Sequence, residues 1–200
     1  MKIGDQLDVF VLAGGKSSRM GCEKGIAKLN DKCMITYITD VLTTLNLPVR
    51  IIANNDDYKQ FGYEVLNDVV AEKGPMGGLY TAFQYTNKPF VFILSCDIPF
   101  IHADAVSYFL NHVGEHEALA ATVLDTINPL FAVYHKSLEE KTLNCISTEK
   151  FKMKDLILSS KHVLIPMDDF VEKEPLMFYN VNSKNDLEIC QQQLSAEGLK

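Results

Sequence analysis

The sequence predicts an α/β fold: a three-layer sandwich with helices on both faces of a mostly parallel sheet. Three observations carry this. Short apolar runs recur, each closed by turn residues. Amphipathic runs of helical period lie between them. The 200 residues are 47% hydrophobic. A chain of that size buries roughly 70% of its unfolded surface and needs no disulfide or structural metal.

The elements follow in chain order. Val9 to Ala13 is apolar throughout and ends at Gly14-Gly15. Such a run reads as a strand buried on both faces. Met34, Tyr37, Ile38, Val41, Leu42 and Leu45 recur at helical spacing. Val49 to Ala53 is the second strand and ends at Asn54-Asn55. Gly77 to Tyr85 reads as a helix. Phe90 to Leu94 is a strand rich in aromatic and β-branched residues, closed by Ser95-Cys96-Asp97. Asp104 to His112 reads as a helix and Ala118 to Leu124 as a strand. Between about 125 and 180 the strands Ile127 to Tyr134 and Val163 to Met167 have little helix between them. They predict mixed or antiparallel additions at one sheet edge. Ser183 to Leu194 is a closing helix, with Ser183 as N-cap and Asp186 three residues on. No repeat or linker divides residues 1–200, so a single domain is expected.

Ligands of open α/β sheets bind beyond the carboxyl ends of the strands. Gly14-Gly15, Asn54-Asn55 and Asp97 are therefore expected to converge on one crevice.

Composition excludes several classes. The net charge of −7 argues against nucleic acid and anionic membranes as partners. No apolar run approaches a membrane span, and Met1 to Asp8 does not read as a signal peptide. The five scattered cysteines contain no CxxC pair, a reduced, cytoplasmic pattern.

Residues 12–24 read Leu-Ala-Gly-Gly-Lys-Ser-Ser-Arg-Met-Gly-Cys-Glu-Lys. Glycines turn the backbone sharply, and the N–H groups of such a turn can cradle an anion. Lys16, Arg19 and Lys24 add positive charge to this stretch of an acidic chain. A Walker A loop would need glycine at position 10, which is Phe10. A GxGxxG loop would need glycine where Lys16 or Ser17 stands. Asp97, after a buried strand and before Pro99, reads either as a Mg²⁺ anchor or as a turn and capping residue. Gly74-Pro75-Met76-Gly77-Gly78 reads either as a helix start packed against a flat ring or as a tight loop. Asp68 reads either as an acceptor for ring N–H groups or as a surface turn. His112-Val113-Gly114-Glu115-His116 matches an inverted zincin pattern, but Gly114 and the polar setting oppose a helical zinc site.

Taken together, these strings resemble the molybdenum cofactor guanylyltransferase family of nucleotidyltransferases. The resemblance rests on Leu12-Ala13-Gly14-Gly15 with Arg19-Met20-Gly21 and Lys24, then Gly74-Pro75-Met76-Gly77-Gly78 and Cys96-Asp97-Ile98-Pro99. Pro129 to Tyr134 and Asn180-Val181-Asn182 complete it. It implies a nucleotide-diphospho-sugar-transferase-like, Rossmann-like sheet. It also implies transfer of GMP from GTP to the terminal phosphate of molybdopterin, with release of pyrophosphate. The implied nucleotide-binding residues are Leu12, Ala13, Gly14, Gly15, Lys24, Asn54, Asp68 and Asp97. Arg19, Lys24 and Asp97 would be catalytic, with Asp97 on Mg²⁺. Gly77, Gly78, Asn180 and Asn182 would bind the acceptor substrate, the two asparagines at the pterin–phosphate end. Proteins of cofactor synthesis or cofactor acceptors are the implied protein partners. The family usually has Asp before this lysine, where this chain has Glu23. Alternatives on the same scaffold are a CTP-dependent molybdopterin cytidylyltransferase, a sugar-phosphate nucleotidyltransferase, or a non-catalytic cofactor carrier.

Overall fold

A computed structural model describes residues 3–14 and 23–196. Nine strands are present among them: β1 (Leu7–Leu12), β2 (Lys28–Leu29), β3 (Lys32–Cys33), β4 (Val49–Ile52), β5 (Glu64–Leu66), β6 (Phe90–Ser95), β7 (Ala118–Val123), β8 (Thr126–His135) and β9 (His162–Pro166). The helices are α1 (Met34–Thr44), α2 (Gly74–Tyr85), α3 (Ala103–Leu110), α4 (Glu139–Ser147), α5 (Met153–Leu158), α6 (Asp168–Lys173) and α7 (Lys184–Ala196), with short 3-10 turns between.

Seven strands form one sheet in the order β5-β4-β1-β6-β8-β7-β9, and β2 and β3 form a separate small hairpin. β5, β4, β1 and β6 run parallel. β8 is antiparallel to β6 and β7, while β9 is parallel to β7. The mixed edge predicted beyond residue 125 is present. The paucity of helix there is not: α4, α5 and α6 all fall in that stretch. They are short, at nine, six and six residues, so no long periodic pattern marks them. β5 and the β2–β3 hairpin, three and two residues per strand, are also additions.

Both faces of the sheet are covered, which explains the unbroken apolar runs. Val9 and Val11 of β1, with Phe92 and Leu94 of β6, pack with Ile35, Ile38 and Leu42 of α1 and Val106 and Phe109 of α3. Phe10 of β1 and Val91 and Ile93 of β6 point the other way, toward Met76, Leu79 and Phe83 of α2 and Leu156 and Ile157 of α5. Burying each such side chain contributes roughly 1.5–3 kcal/mol. A third cluster, with Leu29, Met34, Val181 and Cys190, joins α7 to the β2–β3 hairpin.

The expected N-cap of α7 is present. Ser183 Oγ donates to Asp186 Oδ2 at 2.8 Å, and the Asp186 N–H returns to Ser183 Oγ at 3.2 Å. α3 ends at Leu110, and residues 111–116 are turns and bends, so His112 and His116 share no helical face. Among the described residues no cluster of three or more His, Cys, Asp or Glu forms a metal site, and no helix is long and apolar enough to cross a membrane.

Candidate active site

The chain beyond each parallel strand stays tied to its neighbours. Ala13 N–H donates to Ile52 O at 3.0 Å, Ala53 N–H to Leu66 O at 3.0 Å, and Cys96 N–H to Leu12 O at 3.1 Å. These bonds set Gly14, Asn54, Asp68 and Asp97 side by side. A cleft of about 650 Å³ opens there, lined by Leu12, Gly14, Asn54, Asp68, Gly78 and Ser95 together with Glu23, Pro75 and Leu130.

At one end, Asn54 and Asp68 bond to each other twice. Asn54 Nδ2 donates to Asp68 Oδ2 at 3.0 Å, and the Asp68 N–H donates to Asn54 Oδ1 at 2.9 Å. Asp68 Oδ1 is buried without a partner. The Thr81 hydroxyl donates to Gly77 O at 2.9 Å instead. Burial raises the Asp68 pKa, against the lowering influence of the Asn54 hydrogen bond and of the nearby Thr81 hydroxyl. A buried acceptor with a vacant lone pair is unfavourable unless water or a ligand donor fills it.

Lys24, Asp97 and Asn182 do not line this cleft and form a second group at the end of β6, beside Ser95 and Glu23, which do. Lys24 Nζ lies 3.7 Å from Asp97 Oδ2 and donates to Asn182 Oδ1. Asp97 Oδ1 is buried and unpartnered. The Val181 N–H donates to the Asp97 carbonyl at 2.8 Å, which docks the late asparagine segment on the strand end. Asp186 Oδ2 accepts the Asn182 N–H at 2.9 Å. Hydrogen bonds from Ser183 and Asn182 hold the Asp186 carboxyl below the usual range. Burial, then the Asp97 charge, pushes the Cys96 thiol up to about 12, so it stays protonated and is no nucleophile.

The glycine-rich start of α2 fits tightly. A Cβ on Gly78 would sit 2.9 Å from Leu12 Cδ2, so this residue lets the helix approach β1 beside the cleft. Gly77 faces the Val70 carbonyl and is not among the cleft residues. Gly74 has φ of 57° and begins the helix with Pro75 in its first turn. Asn180 lines a separate cavity of about 330 Å³ with Asn128, Pro129 and Phe178. Gly15 and Arg19 lie outside the described residues.

Sequence reasoning missed Tyr58, whose hydroxyl lies 2.7 Å from Ala13 O and 3.0 Å from Glu23 Oε2. It also gave no role to Ser95, Pro75 or Leu130. Asn55 caps the turn that carries Tyr58, accepting from the Asp57 N–H at 2.9 Å, but that marks the turn and not the role of the phenol.

An open, mostly parallel sheet with this arrangement at its strand ends defines a nucleotidyltransferase. The chain matches the MobA-like NTP transferase domain over residues 9–193 and belongs to that family. It is 30% identical to a probable molybdenum cofactor guanylyltransferase of Flavobacterium johnsoniae, over 92% of this chain and 95% of that one. It is 34% identical to the molybdenum cofactor guanylyltransferase of Vibrio vulnificus, over 88% and 91%. Its fold is shared with the molybdopterin-guanine dinucleotide biosynthesis protein A of Archaeoglobus fulgidus, with a TM-score of 0.79, 21% identity and coverage of 94% and 99%.

Proposed function

We propose that this enzyme transfers the guanylyl group of GTP to the terminal phosphate of molybdopterin and releases pyrophosphate. The observation that carries the reading is the pair of orphaned carboxylate oxygens, Asp68 Oδ1 and Asp97 Oδ1, just beyond the carboxyl ends of β5 and β6 in one sheet. The names of the relatives support it.

Asp68 suits the base. Guanine presents adjacent N1–H and N2–H donors, and a fixed carboxylate with a free oxygen accepts them; cytosine presents only one exocyclic donor group. Asn54 locks the carboxylate's orientation. Leu12 and Gly14 border the nucleotide, and Gly78 keeps α2 close beneath it.

Asp97 suits a divalent cation. Mg²⁺ takes one or two protein carboxylates and fills its shell with water and phosphate oxygens, so a single free carboxylate oxygen fits. Such an ion, when bound, neutralises phosphate charge. Lys24 holds positive charge at the same place, and Arg19 would add to it. The acceptor is a phosphate monoester, ionised near neutral pH, so no general base is needed. One of its oxygens bonds to the α-phosphorus, and the bond to the bridging oxygen breaks. The electron pair leaves on pyrophosphate. The protein's part is alignment and charge compensation. Asn180 and Asn182 would hold the acceptor's phosphate end. The four free cysteines among the described residues suit a reducing, cytoplasmic setting.

The test is a nucleotide panel. With Mg²⁺ present, GTP raises the melting temperature more than CTP, ATP or UTP at equal concentration. Pyrophosphate then appears only when molybdopterin is added. A larger shift with CTP overturns the guanylyl reading.

A further inference from the structure

Tyr58 belongs to the 3-10 turn Asp56–Phe61 and is fully buried. Its hydroxyl meets the Ala13 carbonyl at 2.7 Å and Glu23 Oε2 at 3.0 Å, two acceptors around one proton. Ala13 and Glu23 flank the two sides of the glycine loop, and Lys24 follows Glu23 directly. The fit continues at Gly25. A Cβ there would lie 2.8 Å from both Cε1 and the hydroxyl of Tyr58, so the chain passes the ring only because residue 25 has no side chain. Burial first, then neighbouring charge including Glu23, raises the phenol pKa, which keeps it a donor.

We propose that Tyr58 is a positioning residue for the nucleotide loop. Its hydroxyl ties the two sides of the loop together, and with Gly25 it fixes where Lys24 leaves the loop toward Asp97 and Asn182. Holding the flanks before the ligand arrives removes ordering cost from binding. The residue acts through Ala13, Glu23 and Lys24 and touches no substrate. The inference rests on the nucleotidyltransferase reading in taking residues 14–24 as the triphosphate loop.

The test compares Tyr58→Phe, Glu23→Ala, Glu23→Gln and the double variant Tyr58→Phe/Glu23→Ala. The probe is whichever of GTP, CTP and ATP binds the wild type most tightly with Mg²⁺, measured by calorimetry. Tyr58→Phe keeps the ring packing and removes only the hydroxyl. It weakens nucleotide affinity about tenfold and raises the nucleotide KM more than the acceptor KM. Glu23→Ala does the same, and Glu23→Gln, which keeps an acceptor oxygen, restores most of the affinity. The double variant is no worse than the worse single, the mark of one shared interaction. Unchanged nucleotide affinity in Tyr58→Phe, even with a lower melting temperature, overturns the proposal, and so do additive single effects. A preference for CTP overturns the guanylyl reading and leaves this proposal standing.

Discussion

Asn54 and Asp68 hold each other by two hydrogen bonds, side chain to side chain and backbone to side chain, across the ends of β4 and β5. Oδ2 of Asp68 is thereby committed and Oδ1 is left for a ligand. Asp68→Asn places an amide where a carboxylate accepts. Nucleotide affinity falls by on the order of a hundredfold, the scale for a lost charged acceptor facing two donors. Titration calorimetry with GTP reads this directly. An unchanged affinity removes Asp68 from base recognition.

The same carboxyl gives a pH signature. Its folded-state pKa is raised above the ordinary 3.8, chiefly by burial. In the window between those two values the folded protein binds more protons than the unfolded chain. Stability therefore falls as pH rises through that window and levels off above the raised value. Asp68→Asn lacks this contribution, so its melting temperature relative to wild type rises across the window. GTP affinity of the wild type weakens as pH drops through the raised pKa, because the protonated carboxyl is a poorer acceptor. Parallel melting curves of the two proteins across pH would exclude the assignment.

Beyond the end of β6, Asp97→Ala separates chemistry from folding. The backbone carbonyl of Asp97, not its side chain, holds Val181. The side chain contributes an orphaned buried oxygen and a 3.7 Å approach to Lys24. Its removal costs little stability. Transfer falls by a hundred- to a thousandfold, on the order of the loss seen when one fixed electrostatic partner of a transition state is deleted. Steady-state pyrophosphate release and a melting curve measure the two effects. Near-normal turnover would take Asp97 out of the reaction.

Legibility followed contact range. β1 and β6 were readable because both faces are buried, so Val9 to Leu12 and Phe90 to Leu94 are apolar without a break. Gly14, Asn54 and Asp97 were readable as a group because parallel strand ends place them together whatever the details. α4 through α6 were not. α6 has no fully buried residue and sets only Phe170 against the core, too little to leave a hydrophobic stripe. Tyr58 was illegible because its partners lie 45 and 35 residues away, and nothing local marks a phenol destined for a carbonyl on another strand. Gly77 shows the limit of motif reading. It shares the glycine string with Gly78, but it packs on the Val70 loop while Gly78 borders the cleft.

The amino end of β1 supplies a stability prediction independent of function. Asp8 is 5% exposed. Lys88 Nζ stands 3.0 Å from its Oδ1 and Arg50 3.3 Å from its Oδ2, and Thr86 Oγ1 donates to that oxygen at 2.8 Å. Lys88 Nζ also donates to the Gly4 and Leu7 carbonyls, so the carboxylate anchors the chain start to the β6 side of the sheet. Asp8→Asn keeps the shape and removes the charge, which leaves two cations with a weaker partner. Breaking a fully buried pair costs about 3–5 kcal/mol, and both cations here keep about 30% of their side-chain exposure, so solvent offsets part of the loss. The expected destabilisation is about 2–3 kcal/mol by denaturant unfolding. Asp8 sits at the opposite end of β1 from Gly14, so GTP affinity and both KM values stay at wild-type levels. A variant that lost GTP affinity while keeping its unfolding midpoint would show that this end of the strand communicates with the cleft.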